Sequence, residues 1–351
     1  MQHAPKAMTV YNKMPIVSVF ESMEADYAHL CEHVQVWDVA CERQVEVIGP
    51  DALALVELVT PRDLSRCEVG QCMYAPLADE LGGVVNDPII MRLAQDRFWV
   101  SLADSDVMLW LKGIAYGREM NVSVFEPDVS PLAIQGPKAD DLMSEILGEQ
   151  TQDIRFFRFK RVEIADTSLI MARSGWSGQG GFELYLEDSS KGLELWDCIW
   201  SSGEKYNIRA GCPNQIDRME TGLQSYGSDM TLADNLMECG LDRFFTLDKP
   251  AEYMAREALI AARDNLQRKL VHLVIAGPPL PALRHTWTVC NDAGEAVGYV
   301  SSQAYSDRFG GTLSIAMLDI AYTECGQALT VEIDGLAPRS AMVSNQNWGK
   351  C

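Results

Sequence analysis

The sequence predicts an α+β protein with a duplicated α+β unit followed by a separate β-barrel-like domain. A strand, a Gly-Pro pair and a helix occur twice in succession, around Gly49-Pro50 and around Gly136-Pro137. Beyond residue 270 the helical spacing gives way to short strands, with hairpin signals at Asn291-Asp292-Ala293-Gly294 and Asp334-Gly335. The repeat indicates two related α+β domains, and the change of pattern indicates that the barrel-like domain folds separately.

The expected elements follow in chain order. In each repeat the proline is expected in the first helical turn, where its missing N–H has no intrahelical partner. Helices are expected at 21–33, 104–119, 193–200, 213–225 and 251–270, the last as a connector. Strands are expected at 84–85, 89–93, 98–102, 156–164 and 168–173, and in the final domain at 270–275, 286–290, 297–301, 312–317 and 328–333.

Composition excludes several classes of partner. The net charge is −21, which argues against nucleic acid or an anionic membrane and requires a local basic pocket for any anionic cofactor. No apolar run reaches the roughly 18 residues that span a bilayer, and no signal peptide is recognised. The 10 cysteines are scattered without a Cys-x-x-Cys pair, so we expect free thiols and a cytoplasmic protein.

The most informative segment is the glycine-rich stretch 174–185. Glycines at 175, 178, 180 and 181 let the backbone turn tightly and lie close against a flat group. Glu183 follows on a segment that returns to strand character. A bare backbone, a flanking Trp176 and one fixed acid suit an aromatic heterocycle with N–H donors, such as a pterin.

Other site types find little support. His29 and His33 have the four-residue spacing of metal ligands on a helix, but no third ligand accompanies them, so we expect no metal. No Gly-x-Gly-x-x-Gly after a strand, Walker loop or Gly-x-Ser-x-Gly elbow is present. Nothing therefore indicates a nicotinamide enzyme, a nucleotide-binding protein or a serine hydrolase.

Three residues allow two interpretations each. Asp87 lies before Pro88 at a strand margin, where its carboxylate either faces a cavity or caps a turn. Arg218 either holds a ligand or forms a surface salt bridge. Trp176 either contacts a ligand or packs in the core.

Together these motifs resemble the aminomethyltransferase family, which includes the glycine cleavage T-protein. The resemblance rests on Gly82-Gly83 with Asp87, on the glycine-rich stretch ending in Glu183, and on a set of later motifs. Those motifs are Arg218-Met219-Glu220-Thr221-Gly222, Tyr226-Gly227, Val297-Gly298-Tyr299-Val300-Ser301-Ser302 and Ile315-Ala316-Met317.

A narrower resemblance, over about residues 11–317, is to the dimethylsulfoniopropionate demethylase branch of this family. The segments that carry it are 33–45 (His33-Val34-Gln35-Val36-Trp37-Asp38-Val39-Ala40-Cys41-Glu42-Arg43-Gln44-Val45), 60–64, 86–88, 126–133, 209–214 and 238–241. Two features depart from the family pattern: Lys13 in Tyr11-Asn12-Lys13-Met14, where the family usually has His, and the tail beyond residue 321.

The resemblance implies a three-domain, cloverleaf-like fold with two related α+β domains and a C-terminal β-barrel domain. It also implies tetrahydrofolate in a central channel. We expect a discontinuous folate-binding domain over 1–45 and 125–250, an inserted α+β domain over 46–124, and the connector helix with the barrel over 251–351.

The same resemblance implies roles for individual residues. Glu183 grips the pterin, Asp87 lies beside the reactive nitrogens as the catalytic residue, and Arg218 helps to hold the folate. The remaining expected site residues are Tyr185 and Ser101 on the cofactor, and Trp176 and Tyr11 on the substrate.

The implied activity is transfer of a methyl group from the sulfonium of dimethylsulfoniopropionate to N5 of tetrahydrofolate, giving methylmercaptopropionate and 5-methyltetrahydrofolate. Such a displacement needs no general acid, because the leaving group is a neutral thioether, but donor and acceptor must be held in line. The alternatives are a demethylase for another onium or methylamine, a glycine cleavage aminomethyltransferase, and a non-catalytic folate-binding protein. The oligomeric state stays open, a homodimer included.

Overall fold

The computed structural model describes residues 3–103, 105–151, 153–345 and 348. Two compact units make up the chain: residues 1–77, 86–214 and 248–253 form the first, and residues 78–85, 215–247 and 254–351 the second. The expected mixture of helices and strands is present. The three-domain division stays a prediction.

The first unit contains most of the helices and two of the sheets. Its helices are α1 (Met23–Glu32), α2 (Ala52–Leu58), α3 (Val107–Gly117), α4 (Ala139–Leu147) and α5 (Gly192–Gly203). Its strands before α3 are β1 (Ala7–Tyr11), β2 (Met14–Val19), β3 (Gln35–Asp38), β4 (Gln44–Ile48), β5 (Gln71–Tyr74), β8 (Ile89–Ala94) and β9 (Arg97–Ser101). Those after α3 are β10 (Ser123–Phe125), β11 (Ser130–Gln135), β12 (Phe159–Ile164), β13 (Thr167–Ala172), β14 (Gly181–Leu186) and β15 (Arg209–Gly211).

The second unit contains the remaining elements. Its helices are α6 (Gln215–Thr221) and α7 (Arg256–Asp264). Its strands are β16 (Arg268–Ile275), β17 (Trp287–Cys290), β18 (Ala296–Ser306), β19 (Gly311–Asp319), β20 (Ala328–Val331) and β21 (Arg339–Ser344). The short strands β6 (Leu77–Ala78) and β7 (Val84–Asn86) lie at the changes from one unit to the other.

Two sheets organise the described part of the first unit. One has the strand order β10-β4-β9-β8-β5, and the other has the order β12-β13-β14-β11-β3-β15. The pairing is antiparallel except between β15 and β3, which run parallel. Tyr185 and Ala172 of the second sheet pack with Met91 and Trp99 of the first, so the sheets share a buried apolar cluster.

The predicted repeat is confirmed, because β4 leads into α2 and β11 leads into α4. Gly49 and Gly136 occupy equivalent positions, with φ of +138° and +121°. A Cβ on Gly49 would lie 2.5 Å from the Asn121 carbonyl oxygen, and one on Gly136 2.3 Å from that of His33. A side chain is therefore excluded at both corners by the same close backbone approach.

The expected position of the two prolines is wrong. Pro50 and Pro137 precede the N-cap residues Asp51 and Lys138, so they lie outside the first helical turn. The glycine corner uses one more residue than the sequence interpretation allowed, because the chain must turn past the neighbouring backbone before the helix begins.

The predicted C-terminal barrel is confirmed as a closed barrel in the order β16-β19-β18-β17-β20-β21. The expected connector helix is shorter than 251–270: α7 ends at Asp264, and residues from Arg268 onward pair with β19. The sequence analysis did not find β21, although this strand closes the barrel by pairing with β16 and β20. Its short alternation lies in the divergent tail, where no motif marked it.

The other boundaries shift by a few residues. The helix expected at 104–119 begins at Val107, and residue 104 lies outside the described residues. None of the helices in the described part of the chain combines the length and the apolar character that a membrane crossing needs.

The expectation of free thiols holds for eight described cysteines but is wrong for Cys325, which is disulfide-bonded.

Candidate functional site

Strand β14 presents different side chains to its two faces. Phe182, Leu184 and Leu186 pack into the apolar core beneath the sheet. Glu183 and Tyr185 alternate with them and therefore point to the opposite face. Glu183 is only 7% exposed, so its carboxyl is held in a mostly desolvated position.

Glu183 receives its hydrogen bonds on one oxygen. The Ser174 hydroxyl donates to Glu183 Oε2, and the Tyr185 hydroxyl donates to the same atom at 3.2 Å. Burial raises the pKa of Tyr185, and the Ser101 hydroxyl partly opposes this rise. No donor among the described residues bonds Oε1 of Glu183, so this oxygen can accept a hydrogen bond from a ligand.

A second carboxyl, that of Glu42, lies close enough to act electrostatically on Glu183. Burial and repulsion from Glu183 raise the pKa of Glu42 to about 8. Burial also raises the pKa of Glu183, against the opposing effect of the Ser174 and Tyr185 hydroxyls. The sequence analysis missed Glu42, because nothing in segment 33–45 shows that its side chain approaches β14.

Asp87 lies between β7 and β8, so the predicted strand margin is confirmed. The residue is half-buried, and its Oδ2 accepts a hydrogen bond of 3.1 Å from the Tyr74 hydroxyl. Ile89, two residues further on, pairs with Ser101 across β8 and β9. The strand that follows Asp87 therefore runs beside Ser101, which acts on the pKa of Tyr185.

Tyr11 is the last residue of β1, and it is half-buried beside a tight hairpin turn. The turn residue Asn12 is only 3% exposed, and its amide nitrogen donates to the carbonyls of Cys41 (3.0 Å) and Leu102 (3.3 Å). These carbonyls belong to the neighbours of Glu42 and Ser101. Asn12 thus ties the hairpin to the site, a role that the motif at 11–14 did not reveal.

Lys13, where the sequence departs from the family pattern, lies at the tip of the same turn. Its side chain is 70% exposed and pairs with Asp106 at 2.5 Å. The substitution therefore places an ammonium group on the outer side of the hairpin.

Two glycines of the glycine-rich stretch pack closely against other parts of the protein. A Cβ on Gly175 would lie 2.2 Å from the Gln135 side chain, and one on Gly181 would lie 2.0 Å from the Ile134 carbonyl oxygen. At both positions the expected close approach is made to β11, and contact of the stretch with a flat ligand stays a prediction. Trp176 is half-buried in the connecting loop, which is not the fully packed environment of a core residue.

Arg218 lies on α6 in the second unit. Its guanidinium pairs with Asp229, and the two side chains are 3% and 0% exposed. Ser225 N–H and the Ser301 hydroxyl also donate to Asp229. The interpretation of Arg218 as a surface salt bridge is wrong, because the pair is buried; its role toward folate stays a prediction.

His29, one of the two histidines with the spacing of metal ligands, is hydrogen-bonded within the protein. His29 Nε2 hydrogen-bonds to the Asn207 carbonyl at 2.8 Å, and burial lowers the pKa of His29. Within the described ranges, no group of three His, Cys, Asp or Glu side chains is arranged to hold a metal ion.

The two antiparallel-rich sheets and the C-terminal closed barrel are the architecture of an aminomethyltransferase-type protein. The model of the GCVT N-terminal domain matches residues 5–249, and that of the glycine cleavage T-protein C-terminal barrel domain matches residues 268–347. The chain belongs to the glycine cleavage T-protein, or aminomethyltransferase, family.

Similar proteins agree with this assignment. The chain is 47% identical to the dimethylsulfoniopropionate demethylase of Ruegeria pomeroyi over 95% of this chain and 91% of that protein. It is 26% identical to an aminomethyltransferase of Thermoanaerobacter sp., over 94% and 90%. A crystal structure of aminomethyltransferase T from Bartonella henselae has the same fold, with a TM-score of 0.87 at 20% identity, covering 99% and 96% of the chains.

Proposed function

We propose that this chain is a tetrahydrofolate-dependent demethylase. It moves a methyl group from the sulfonium of dimethylsulfoniopropionate to N5 of tetrahydrofolate, giving methylmercaptopropionate and 5-methyltetrahydrofolate. The observation that carries the proposal is the 47% identity to a dimethylsulfoniopropionate demethylase across nearly the whole chain. The aminomethyltransferase relatives are considerably more distant, at 25–29% identity.

The residues around β14 fit a reduced pterin. Glu183 is buried, two hydroxyls bond one of its oxygens, and the other oxygen is open to a donor. A pterin offers N–H donors that match an acceptor of this kind. A buried carboxylate with an unused acceptor is costly unless a ligand donor completes its hydrogen bonds. Glu42 and Glu183 fall within the proposed folate-binding domain over 1–45 and 125–250.

Tetrahydrofolate supplies the nucleophilic amine, N5, that accepts the methyl group. The sulfonium substrate keeps the electron pair of the broken carbon–sulfur bond and leaves as a neutral thioether. The protein then has to align the reactants and exclude water. Such alignment can lower the activation free energy by roughly 7–11 kcal/mol. Glu183 and Tyr185 lie on a strand inside a six-stranded sheet, and a rigid element of this kind is suited to such alignment.

In this proposal, Asp87 supplies a negative charge with a fixed direction. The Tyr74 hydroxyl fixes one of its oxygens, so the carboxylate has a defined direction. A fixed negative charge stabilises the positive charge that develops on the attacking nitrogen. Acceptance of a proton after the displacement would not accelerate the methyl transfer itself.

The remaining site assignments belong to the same proposal. Trp176, half-buried in its loop, offers an aromatic face to the sulfonium cation, an interaction of about 0.5–2 kcal/mol. Ser101 and Tyr185 contact the cofactor, Tyr11 contacts the substrate and Arg218 holds the folate. The partners are small molecules, and we place the enzyme in the cytoplasm, where thiols stay reduced. Eight cysteines of the described residues are free, whereas Cys325 is disulfide-bonded.

The direct test is a turnover assay with purified protein. Incubation with tetrahydrofolate and dimethylsulfoniopropionate is expected to yield methylmercaptopropionate and 5-methyltetrahydrofolate in equal amounts by mass spectrometry. Parallel reactions contain other onium compounds, methylamines, or an aminomethyl-loaded lipoyl carrier protein. Products only with another donor, or folate binding without any product, would overturn the assignment.

A further inference from the structure

Gln135 ends strand β11, and its side-chain amide is enclosed by the protein. The residue is 0% exposed and pairs with Gly181 at the start of β14. A buried amide is costly unless its N–H groups and its carbonyl oxygen are hydrogen-bonded. The partners that offset this cost therefore show which part of the molecule the side chain stabilises.

The nitrogen of this amide lies among three backbone carbonyls. Gln135 Nε2 donates to the Phe182 carbonyl at 3.3 Å and to the Ser174 carbonyl at 3.4 Å. A third carbonyl, that of Ile134, is 3.3 Å away. Ser174 lies near the start of the 173–180 loop, which joins β13 to β14, and Phe182 lies just after its end. The nitrogen thus links the two ends of one loop, and a flipped amide would instead place its oxygen against three oxygens.

The oxygen of the amide holds the middle of the same loop. Gln135 Oε1 accepts a hydrogen bond of 2.6 Å from the Ser177 hydroxyl. Ser177 Oγ in turn accepts from the Gln179 N–H at 3.3 Å. The loop backbone lies directly on the amide, since a Cβ on Gly175 would be 2.2 Å from Nε2 and 2.4 Å from Oε1. Trp176 lies between these two contacts in the chain.

Two groups of the proposed site depend on where this loop lies. They are the Ser174 hydroxyl, which donates to Glu183, and the ring of Trp176. Apart from the Ile134 carbonyl, the hydrogen-bond partners of the Gln135 amide among the described residues all lie in the loop or directly after it. An apolar side chain of the same size would fill the same volume but would leave the loop without these bonds.

We propose that Gln135 is a positioning residue of the substrate site, which holds the 173–180 loop and so fixes the Trp176 ring relative to Glu183. This inference rests on the proposed function, and Gln135 itself does not contact the reactants. The sulfonium loses its positive charge as the methyl group leaves, so an aromatic face binds the substrate more strongly than the transition state. A loosened loop is therefore expected to raise the KM for the sulfonium and to leave kcat nearly unchanged.

The experiment changes Ser177, because this half-buried loop residue can be altered without disturbing the core. Ser177→Ala removes one hydrogen bond to the amide. It is expected to raise the KM for dimethylsulfoniopropionate by about 2- to 10-fold, with kcat and the KM for tetrahydrofolate within about twofold. Ser177→Thr keeps the hydroxyl and is expected to restore the native KM. Ser123→Ala, at an exposed position on β10, is the matched control.

Gln135→Met tests the amide itself. It keeps the volume of the side chain but loses all of its hydrogen bonds, so the KM for the sulfonium is expected to rise by about 10- to 100-fold. If this variant does not fold, the Ser177 variants still decide the outcome.

A second readout needs neither folate nor turnover. In protein labelled with fluorotryptophan, fluorine NMR reports the surroundings of the Trp176 ring, and Trp176→Phe identifies its resonance. We expect this resonance to shift in Ser177→Ala and in Gln135→Met. It is expected to keep its native position in Ser177→Thr and in Ser123→Ala.

The outcomes separate this inference from the proposed function. An unchanged Trp176 resonance in Ser177→Ala, or a native KM for the sulfonium in that variant, would overturn the inference and leave the proposed function standing. Absence of any sulfonium turnover in native protein would instead overturn the proposed function, and the substrate role of the loop with it.

Discussion

Glu183 uses one carboxyl oxygen for the protein and leaves the other open. The hydroxyls of Ser174 and Tyr185 hold Oε2, so the direction of Oε1 is set before any ligand arrives. Such preorganisation reduces the entropy lost on binding. The hydrogen bonds of this one residue thus determine how tightly and in which orientation the proposed cofactor is held.

Replacement of Glu183 is expected to weaken folate binding. Glu183→Ala removes a charge-assisted acceptor and should cost about 1.5–3 kcal/mol in binding free energy. Titration calorimetry with 5-methyltetrahydrofolate measures the change, and Glu163→Ala at the exposed β12 position is the control. Native affinity in Glu183→Ala would contradict the pterin role.

Asp87 is expected to affect turnover more than binding. Asp87→Asn keeps the size of the side chain and its contact with Tyr74 but removes the negative charge. We expect kcat to fall by about 10- to 100-fold, while folate affinity changes by less than about threefold. Steady-state kinetics at saturating folate and sulfonium separate the two, and an unchanged kcat would refute the assignment.

At the scale of elements, strand β14 can carry the site because its start packs tightly on β11. Gly181 pairs with Gln135 at the end of the β11–β14 ladder, with a φ of +138° and no room for a Cβ beside Ile134. This fit sets the register that places Glu183 opposite Ala133. A shift by one residue would turn Glu183 into the apolar core.

The glycines of this stretch are therefore expected to differ in their tolerance of substitution. Gly181→Ala should destabilise the fold by about 2–4 kcal/mol, because it adds a clash with the Ile134 carbonyl to backbone strain. Gly180→Ala, with a φ of +75° and no atom within 4 Å of the added Cβ, should cost only about 1 kcal/mol. Urea unfolding compares the two, and equal losses would contradict the packing explanation.

At the scale of the whole molecule, the strongly acidic chain keeps a few of its charged groups inside. In the first unit, Lys249 donates to the Glu57 carboxylate and to the Arg62 carbonyl (3.1 Å), and so ties residues 248–253 to the N-terminal part of that unit. The Glu42–Glu183 pair has no such cation. These two acids therefore make the stability of the fold depend on pH.

The sign of this pH dependence follows from the raised pKa values. The folded protein keeps a proton on Glu42 up to about pH 8, whereas the unfolded chain releases it around the ordinary value of 4.5. The folded state therefore binds more protons within that window, and this stability contribution is lost as the pH rises through it. Glu42→Gln is expected to be more stable than native protein near pH 9 by about 1–3 kcal/mol, with little difference near pH 5.

Urea unfolding at both pH values measures this difference. Glu163→Gln, which removes an exposed carboxyl instead, is expected to follow the native protein at each pH. Parallel pH profiles for native protein and Glu42→Gln would contradict the raised pKa of the Glu42 carboxyl.

Much of the fold and part of the site were predictable from local sequence. Alternating strands, the two Gly-Pro corners and the hairpin signals of the barrel act over a few residues, so they indicated the α+β class and the C-terminal barrel. Motifs around Glu183 and Asp87 likewise indicated which acids to examine. Strand β21 and the N-terminal hairpin were missed, because their pairing partners are distant or their own pattern is short.

The sequence by itself determined the family, the α+β class with its C-terminal barrel, and the identity of the acid on β14, because these depend on residue types at fixed spacing. Only the tertiary structure decided that Gln135 and Ile134 occupy the space left by the glycines, that Arg218 is buried against Asp229, and that Glu183 helps to raise the pKa of Glu42. These contacts join segments far apart in the chain. Their energies depend on burial and on the charge of the neighbour, and neither quantity is encoded in local spacing.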